Sequence, residues 1–236
     1  FMDKLAKMEF SHLTHEDKNP IISVGGFTHG VTTVEMASAY STLARQGQFL
    51  EPTNVVEIKD MITKETILKK EKKPKQIWQE DAAYFTVDAL KGVLTDGTGK
   101  QAQVPGYEHV FGKTGTTNGN KDSVFVGGTP YYTTAIWVGH DLPTALTSSE
   151  LNLPKTLFSK WNEQLHKGLK VIDFDMPKSV TKKGDNLYSS LETYKDQQQK
   201  RKANEDVRMQ QERAFQRERL SLEDYQIGRA SWRERV

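Results

Sequence analysis

Between Glu108 and Asp141 the chain reads EHVFGKTGTT, SVFVGG and TTAIWVGHD, with NGNK and TPYY between the runs. The three runs are rich in β-branched and aromatic residues, and the spacers are short and made of turn-formers. That pattern predicts three strands joined by two tight hairpins, an antiparallel meander. Such a sheet must bury at least one face, so the flanking sequence has to supply cover.

It does so with helices. In TTVEMASAYSTLARQG, Thr32 and Glu35 are spaced as a capping box. Val34, Ala37, Tyr40, Leu43 and Ala44 fall on one face, and Gly47 ends the helix in a left-handed position. A second helix is predicted from Glu80 to Leu94, with Ala82, Phe85, Ala89, Leu90 and Val93 as its buried face. Pro154 opens another, in which Leu157, Phe158, Trp161 and Leu165 form an apolar stripe, closed by Gly168. NVVEIKD and ETILKK read as two short strands around a turn, and KKEKKPK as a solvated loop. The expected class is α+β, an antiparallel sheet flanked by helices.

Length and composition bound the rest. The 236 residues suffice for a buried core, with 36% hydrophobic and 27% charged residues. A net charge of +2 gives no argument for nucleic acid, and no aromatic residues interleave with a basic stripe. The absence of cysteine excludes disulfides, thiol nucleophiles and thiolate metal sites. His12 and His15, in HLTHED, lack a third ligand and read as a solvated turn; His140 sits at a strand end and reads as structural. No apolar run approaches the roughly 20 residues that span a bilayer. The opening FMDKLAKMEF reads as a helix already under way, so residue 1 is expected not to be a natural start. Residues 1–180 form the expected globular part. Residues 181–226 are expected to be a polar, disordered tail, mobile and dispensable beyond Leu191. Residues 227–236, IGRASWRERV, read as adapter-derived and non-native.

The lysine in FGKTGTTNG poses the functional question. A phosphate-binding loop needs G-x-x-x-x-G-K-[ST] and must lead into a helix. Here Tyr107 stands where the first glycine should be, and a strand follows. A nucleotide reading fails on both counts. As a strand, the segment puts Lys113 and Gly115 on one side and Thr114 and Thr116 on the other. Gly115 leaves room for another backbone, and a free strand edge can pair with an extended peptide. The threonine hydroxyls suit a carboxylate, and the lysine supplies a positive field beside it. The plain alternative for the same residues is a hairpin with an exposed lysine.

GGFTHGVTTVEMASAYSTLARQGQFLEP, LKGVLTDGTG and FGKTGTTNGNKDSVFVGGTPYYTTAIWVGHD follow one another in order. Together they resemble the C-terminal half of the transpeptidase domain of class A penicillin-binding proteins, closely from Gly25 to Asp141 and more loosely to Pro177. The resemblance implies a partial penicillin-binding, β-lactamase-like fold whose first strands and helices lie upstream of this chain. In the family those strands cover the outer edge of TTAIWVGHD. It implies a serine D,D-transpeptidase that crosslinks peptidoglycan stem peptides ending in D-Ala-D-Ala and is acylated by β-lactams, without metal or other cofactor. It also implies a parent protein with a glycosyltransferase domain and an upstream membrane anchor, on the outer face of the bacterial cytoplasmic membrane. Lys113 would then stabilise the substrate carboxylate and reach toward the serine of the S-x-N motif. Thr114 and Thr116 would contact that carboxylate, and the Thr116 N–H would form half of the oxyanion hole. Gly115 would lie at the substrate, and Thr98, in DGTG, on a loop beside the site. Trp137 and Asp141 are expected to pack.

The family carries three motifs, S-x-x-K, S-x-N and K-T-G. Only the third has its expected place here. The sole S-x-x-K runs from Ser179 to Lys182, behind the strands, and reads as chance; no S-x-N occurs. The chain alone is therefore expected to be inert. A non-catalytic relative on the same fold, such as a β-lactam sensor or a wall-binding domain, is the alternative.

Overall fold

The computed structural model describes residues 1–71, 73–190, 199 and 201–216. It divides into two compact units, Phe1–Val180 and Thr181–Val236.

The first unit opens with α1 (Met2–Lys7). Then comes α2 (Thr33–Ala44), whose capping box forms as expected: the Thr32 hydroxyl accepts from Glu35 N–H, and the Glu35 carboxylate accepts from Thr32 N–H. Four short strands follow, β1 (Gln48–Phe49), β2 (Glu57–Lys59), β3 (Thr66–Lys69) and β4 (Lys75–Gln76). β2 and β3 make the hairpin predicted for NVVEIKD and ETILKK, while β1 pairs with β4. The lysines around β3 and β4 are spread among carboxylates, Lys70 with Glu51, Lys73 with Glu71 and Lys75 with Glu9. The helix α3 (Glu80–Thr95) leads to the meander β5 (Phe111–Thr116), β6 (Asp122–Gly128) and β7 (Thr133–Gly139), with order β5-β6-β7 and no register shift. The helix α4 (Leu153–Leu165) comes last.

Strand alternation sorts the core. Phe111 on one face of the sheet packs with Tyr40 and Leu43 of α2 and Val87 of α3. Phe125 on the other packs with Phe158 of α4 and Leu94 of α3. α3 thus reaches both faces from the β5 side. A separate cluster of Leu5, Met8, Phe10, Ile22, Phe49 and Ile77 gathers the N-terminal segment.

The buried stripes of the helices differ from those expected. On α2, Val34 is exposed. On α3 the buried residues include Ala83, Val87 and Leu94, whereas Ala82 and Ala89 are exposed. On α4 the row Pro154, Phe158, Asn162 and His166 is buried, and Leu157 and Trp161 are exposed. Each helix carries two rows at helical spacing, and the inward one is chosen by the sheet it meets, polar Asn162 and His166 included. Asn162 Nδ2 donates to the Phe158 carbonyl at 2.9 Å, while its buried Oδ1 meets no partner among the described residues. His166 Nδ1 donates to the Asn162 carbonyl at 2.6 Å, and its Nε2 accepts from the Thr129 hydroxyl at 2.8 Å.

From the last residue of the first unit into the second, β8 (Val180–Lys183) and β9 (Asn186–Ser189) form a hairpin closed at Gly184 with positive φ. Residues 201–216 are helical and exposed. The rest of the expected tail, 191–198, 200 and 217–226, and the segment 227–236 lie outside the described residues.

Candidate functional site

β5 is an end strand of its sheet, and no other described strand pairs with its outer edge. The direction of its backbone groups follows from the turn. Thr117 N–H donates to the Asp122 carbonyl at 3.2 Å, and the register continues unbroken from there. In an antiparallel pair, inward and outward residues alternate, so Lys113 and Gly115 bond to β6. The N–H and C=O groups of Thr114 and Thr116 therefore point to the open edge. Lys113 and Gly115 lie opposite Val126 and Val124, and Thr114 and Thr116 opposite Phe125 and Ser123.

Side chains gather on that edge. The Thr98 hydroxyl meets the Thr114 hydroxyl at 2.8 Å, joining the DGTG loop to the strand. Lys113 Nζ donates to the Thr114 carbonyl at 3.1 Å and more weakly to its hydroxyl, and the lysine is otherwise exposed. The geometry thus brings Thr98, Lys113 and Thr114 together. Thr116 sits further along the same edge with its side chain exposed.

The glycines around the site are of two kinds. A Cβ on Gly112 would stand 2.6 Å from the Phe125 ring, and one on Gly127 would stand 2.2 Å from the Phe111 carbonyl oxygen. A Cβ on Gly97 would meet the Val93 backbone at 2.8 Å, which fixes the DGTG loop against the end of α3. These are demanded by packing. Gly115 is not: a Cβ there would meet only Val124 at 3.7 Å, an ordinary contact, and its φ is not positive. Nothing within the fold requires glycine at this position.

A partly open cavity of about 590 Å³ lies apart from these residues, lined by residues of α3 and of the 103–110 segment, among them Leu94, Gln103, Val104 and Tyr107.

Ser179 is buried, with its hydroxyl donating to Glu80 at the first turn of α3. His12 Nδ1 bonds to the Ser11 hydroxyl, and among the described residues no three His, Asp or Glu side chains are grouped to hold a metal. Trp137, expected to pack, is about half exposed (47%) and donates its indole N–H to Asp122 at 3.0 Å. Sequence reading passed over Asp122 and Thr117. Their signal was local: a threonine and an aspartate closing a five-residue turn directly after the lysine strand.

Comparison with known proteins identifies the family and the fold. The family model of the penicillin-binding protein transpeptidase domain matches residues 16–161. Penicillin-binding protein 1A of Clostridium acetobutylicum is 34% identical over 178 residues, covering 75% of this chain and 22% of the relative. Penicillin-binding protein 1A/1B of Bacillus subtilis is 35% identical over 188 residues, covering 71% of this chain and 20% of the relative. The chain thus spans about a fifth of the length of these curated relatives. Among solved structures, the penicillin-binding protein PonA1 of Mycobacterium tuberculosis has a TM-score of 0.64 at 23% identity, over 80% of this chain and 53% of that one. Penicillin-binding protein 1A of Haemophilus influenzae has a TM-score of 0.61 at 16% identity, over 78% of this chain and 35% of that one. Both share the fold. The chain belongs to the transpeptidase-domain family of class A penicillin-binding proteins and covers part of that domain.

Proposed function

We propose that the full-length protein is a serine D,D-transpeptidase of peptidoglycan synthesis, and that β5 is the edge on which its substrate lies. The carrying observation is the convergence at that edge of outward Thr114 and Thr116 backbone groups, the Lys113 ammonium and the paired Thr98 and Thr114 hydroxyls. Such an edge offers backbone bonds to an extended peptide and a positive, hydroxyl-lined seat for its terminal carboxylate. Gly115, open on its own side, leaves room for the bound chain.

In this reading the stem peptide ends in D-Ala-D-Ala. A serine hydroxyl attacks the penultimate carbonyl, the tetrahedral oxyanion takes a hydrogen bond from Thr116 N–H, and the terminal D-alanine leaves with the proton. An amine of a second stem peptide then displaces the serine and completes the crosslink. β-Lactams acylate the same serine. No S-x-x-K precedes Lys113, so the serine belongs to a part of the full-length protein outside this chain. The residues of this chain bind the carboxylate through Lys113, Thr114 and Thr116, align the strand and stabilise the oxyanion; Thr98 holds Thr114 in place. Neither metal nor organic cofactor enters the scheme. In this reading the full-length protein works on the outer face of the cytoplasmic membrane, with an anchor and a glycosyltransferase domain elsewhere in its sequence; its likeness to class A relatives supports this.

Lys113→Ala tests the reading in the full-length protein. Loss of a charged donor from a desolvated pair costs on the order of 2–5 kcal/mol. Acylation by a fluorescent penicillin should fall roughly a hundredfold or more, with the thermal midpoint unchanged. Unaltered acylation kinetics would remove Lys113 from the site.

A further inference from the structure

The turn that follows Thr116 is closed more tightly than a five-residue connection requires. Asp122 N–H donates to the Thr117 hydroxyl at 2.9 Å, and that hydroxyl donates back to Asp122 Oδ2 at 2.7 Å. The backbone adds Thr117 N–H to the Asp122 carbonyl and Asn120 N–H to the Thr117 carbonyl. The other carboxyl oxygen, Oδ1, takes the indole N–H of Trp137 from β7 at 3.0 Å. One side chain therefore locks the end of β5 to the start of β6 and ties both to the third strand. The connection itself contains Gly119 and Asn120 at positive φ. Asn120 is further held by Leu146 N–H on its carbonyl.

Thr116 is the residue immediately before this lock, and its N–H is one that points to the open edge. It has no β6 hydrogen bond of its own to fix it, because the alternation spends that position outward. Its direction is set by its neighbours, Gly115 and Thr117. The Thr116 N–H shares its planar peptide with the Gly115 carbonyl, which bonds to β6 and restrains that plane from one side, and Thr117, where the strand enters the turn, restrains it from the other. We propose that Thr117, Asp122 and Trp137 act as one positioning device that aims the Thr116 N–H at the substrate edge. Asp122 touches no reacting atom and works through the turn. The proposal rests on the reading of β5 as the transpeptidase substrate edge.

Positioning of a donor matters most where charge develops, so the device should govern the rate constant of acylation rather than the reversible affinity for the β-lactam. In the full-length protein, Thr117→Val should slow acylation about tenfold, the worth of one hydrogen bond, with reversible affinity and thermal midpoint held. Thr117→Ser, which keeps the hydroxyl, should restore the rate. Trp137→Phe, removing only the indole N–H, should slow acylation in the same sense, and Thr117→Val/Trp137→Phe together should cost less than the product of the two. Wild-type rates in Thr117→Val, or losses of the two variants that multiply, would overturn the device. If Thr117→Val lowers the thermal midpoint, Trp137→Phe decides: a full acylation rate in that variant sinks the proposal. The Lys113→Ala control keeps the readings apart, since a site elsewhere leaves all of these variants, Lys113→Ala included, at the wild-type rate.

Discussion

At the scale of single residues, the contrast between Gly115 and its glycine neighbours separates what the fold needs from what the proposed substrate edge needs. Gly115→Ala adds a methyl group in ordinary contact with Val124, so the thermal midpoint should hold while acylation by a β-lactam falls. Gly127→Ala drives a methyl group into the Phe111 carbonyl and should lose stability first, by about 1–3 kcal/mol or more. Parallel measurement of thermal midpoint and acylation rate in both variants checks the pair; equal losses in both would make Gly115 a packing residue. Asp17 is a structural counterpart. It is fully buried, accepting N–H and hydroxyl bonds from Thr14 and from Thr28, so it staples two loops of the N-terminal cluster. The backbone N–H of Thr14, then that of Thr28, holds its pKa down to about 2. Glu35 also falls to about 2: burial pushes it up, but bonds from Ser11 and Thr32 outweigh that. Both folded values lie below the unfolded ones near 4, so the unfolded chain takes up protons first. Their stabilisation is complete above pH ~4 and lost as pH falls from ~4 toward ~2. Proteolytic nicking between Phe10 and Thr28 should rise through that window, and in Asp17→Asn/Glu35→Gln it should be raised already at neutral pH.

At the scale of elements, the helices are held by rows of four-residue spacing that meet the sheet. Phe158, fully buried against Phe125, anchors α4. Phe158→Ala should cost about 3–5 kcal/mol, measured by denaturant unfolding of the full-length protein. This row shows what sequence could and could not tell. The meander was legible, because period-two runs and two short turns leave few alternatives. So was the cap of α2, a purely local device. The inward face of α4 was not: Leu157, Trp161 and Leu165 are the more apolar row, yet Pro154, Phe158, Asn162 and His166 face the sheet. Hydrophobicity ranks rows correctly only when the whole surround of a helix is known. The site divides the same way. Lys113, Thr114, Gly115 and Thr116 are contiguous and were readable as a strand edge. The bond between Thr98 and Thr114, and the Asp17 staple, join residues far apart in sequence and surface only once the chain is folded.

At the scale of the whole molecule, the same outward row becomes a prediction. Leu153, Leu157 and Trp161 recur every four residues along α4, and all are more than a third exposed. Beside them, β7 pairs with β6 alone among the described strands, which leaves a second open edge opposite the β5 edge. An open edge next to an apolar helix face invites association. The chain accounts for about half of the PonA1 chain that shares its fold, and the remainder of such a domain is where cover would come from. Two preparations separate the possibilities. Residues 1–190 expressed alone should associate, seen as polydisperse light scattering, and Leu157→Lys/Trp161→Lys should make them more soluble. In the full-length protein the same pair should do the reverse and lower the thermal midpoint, because two charges would be forced into a buried contact. A full-length protein indifferent to both lysines would mean that this face of α4 is exposed in the mature domain too. The tendency of the short chain to associate would then have to come from the β7 edge, and a proline at an outward-facing position of that strand should abolish it.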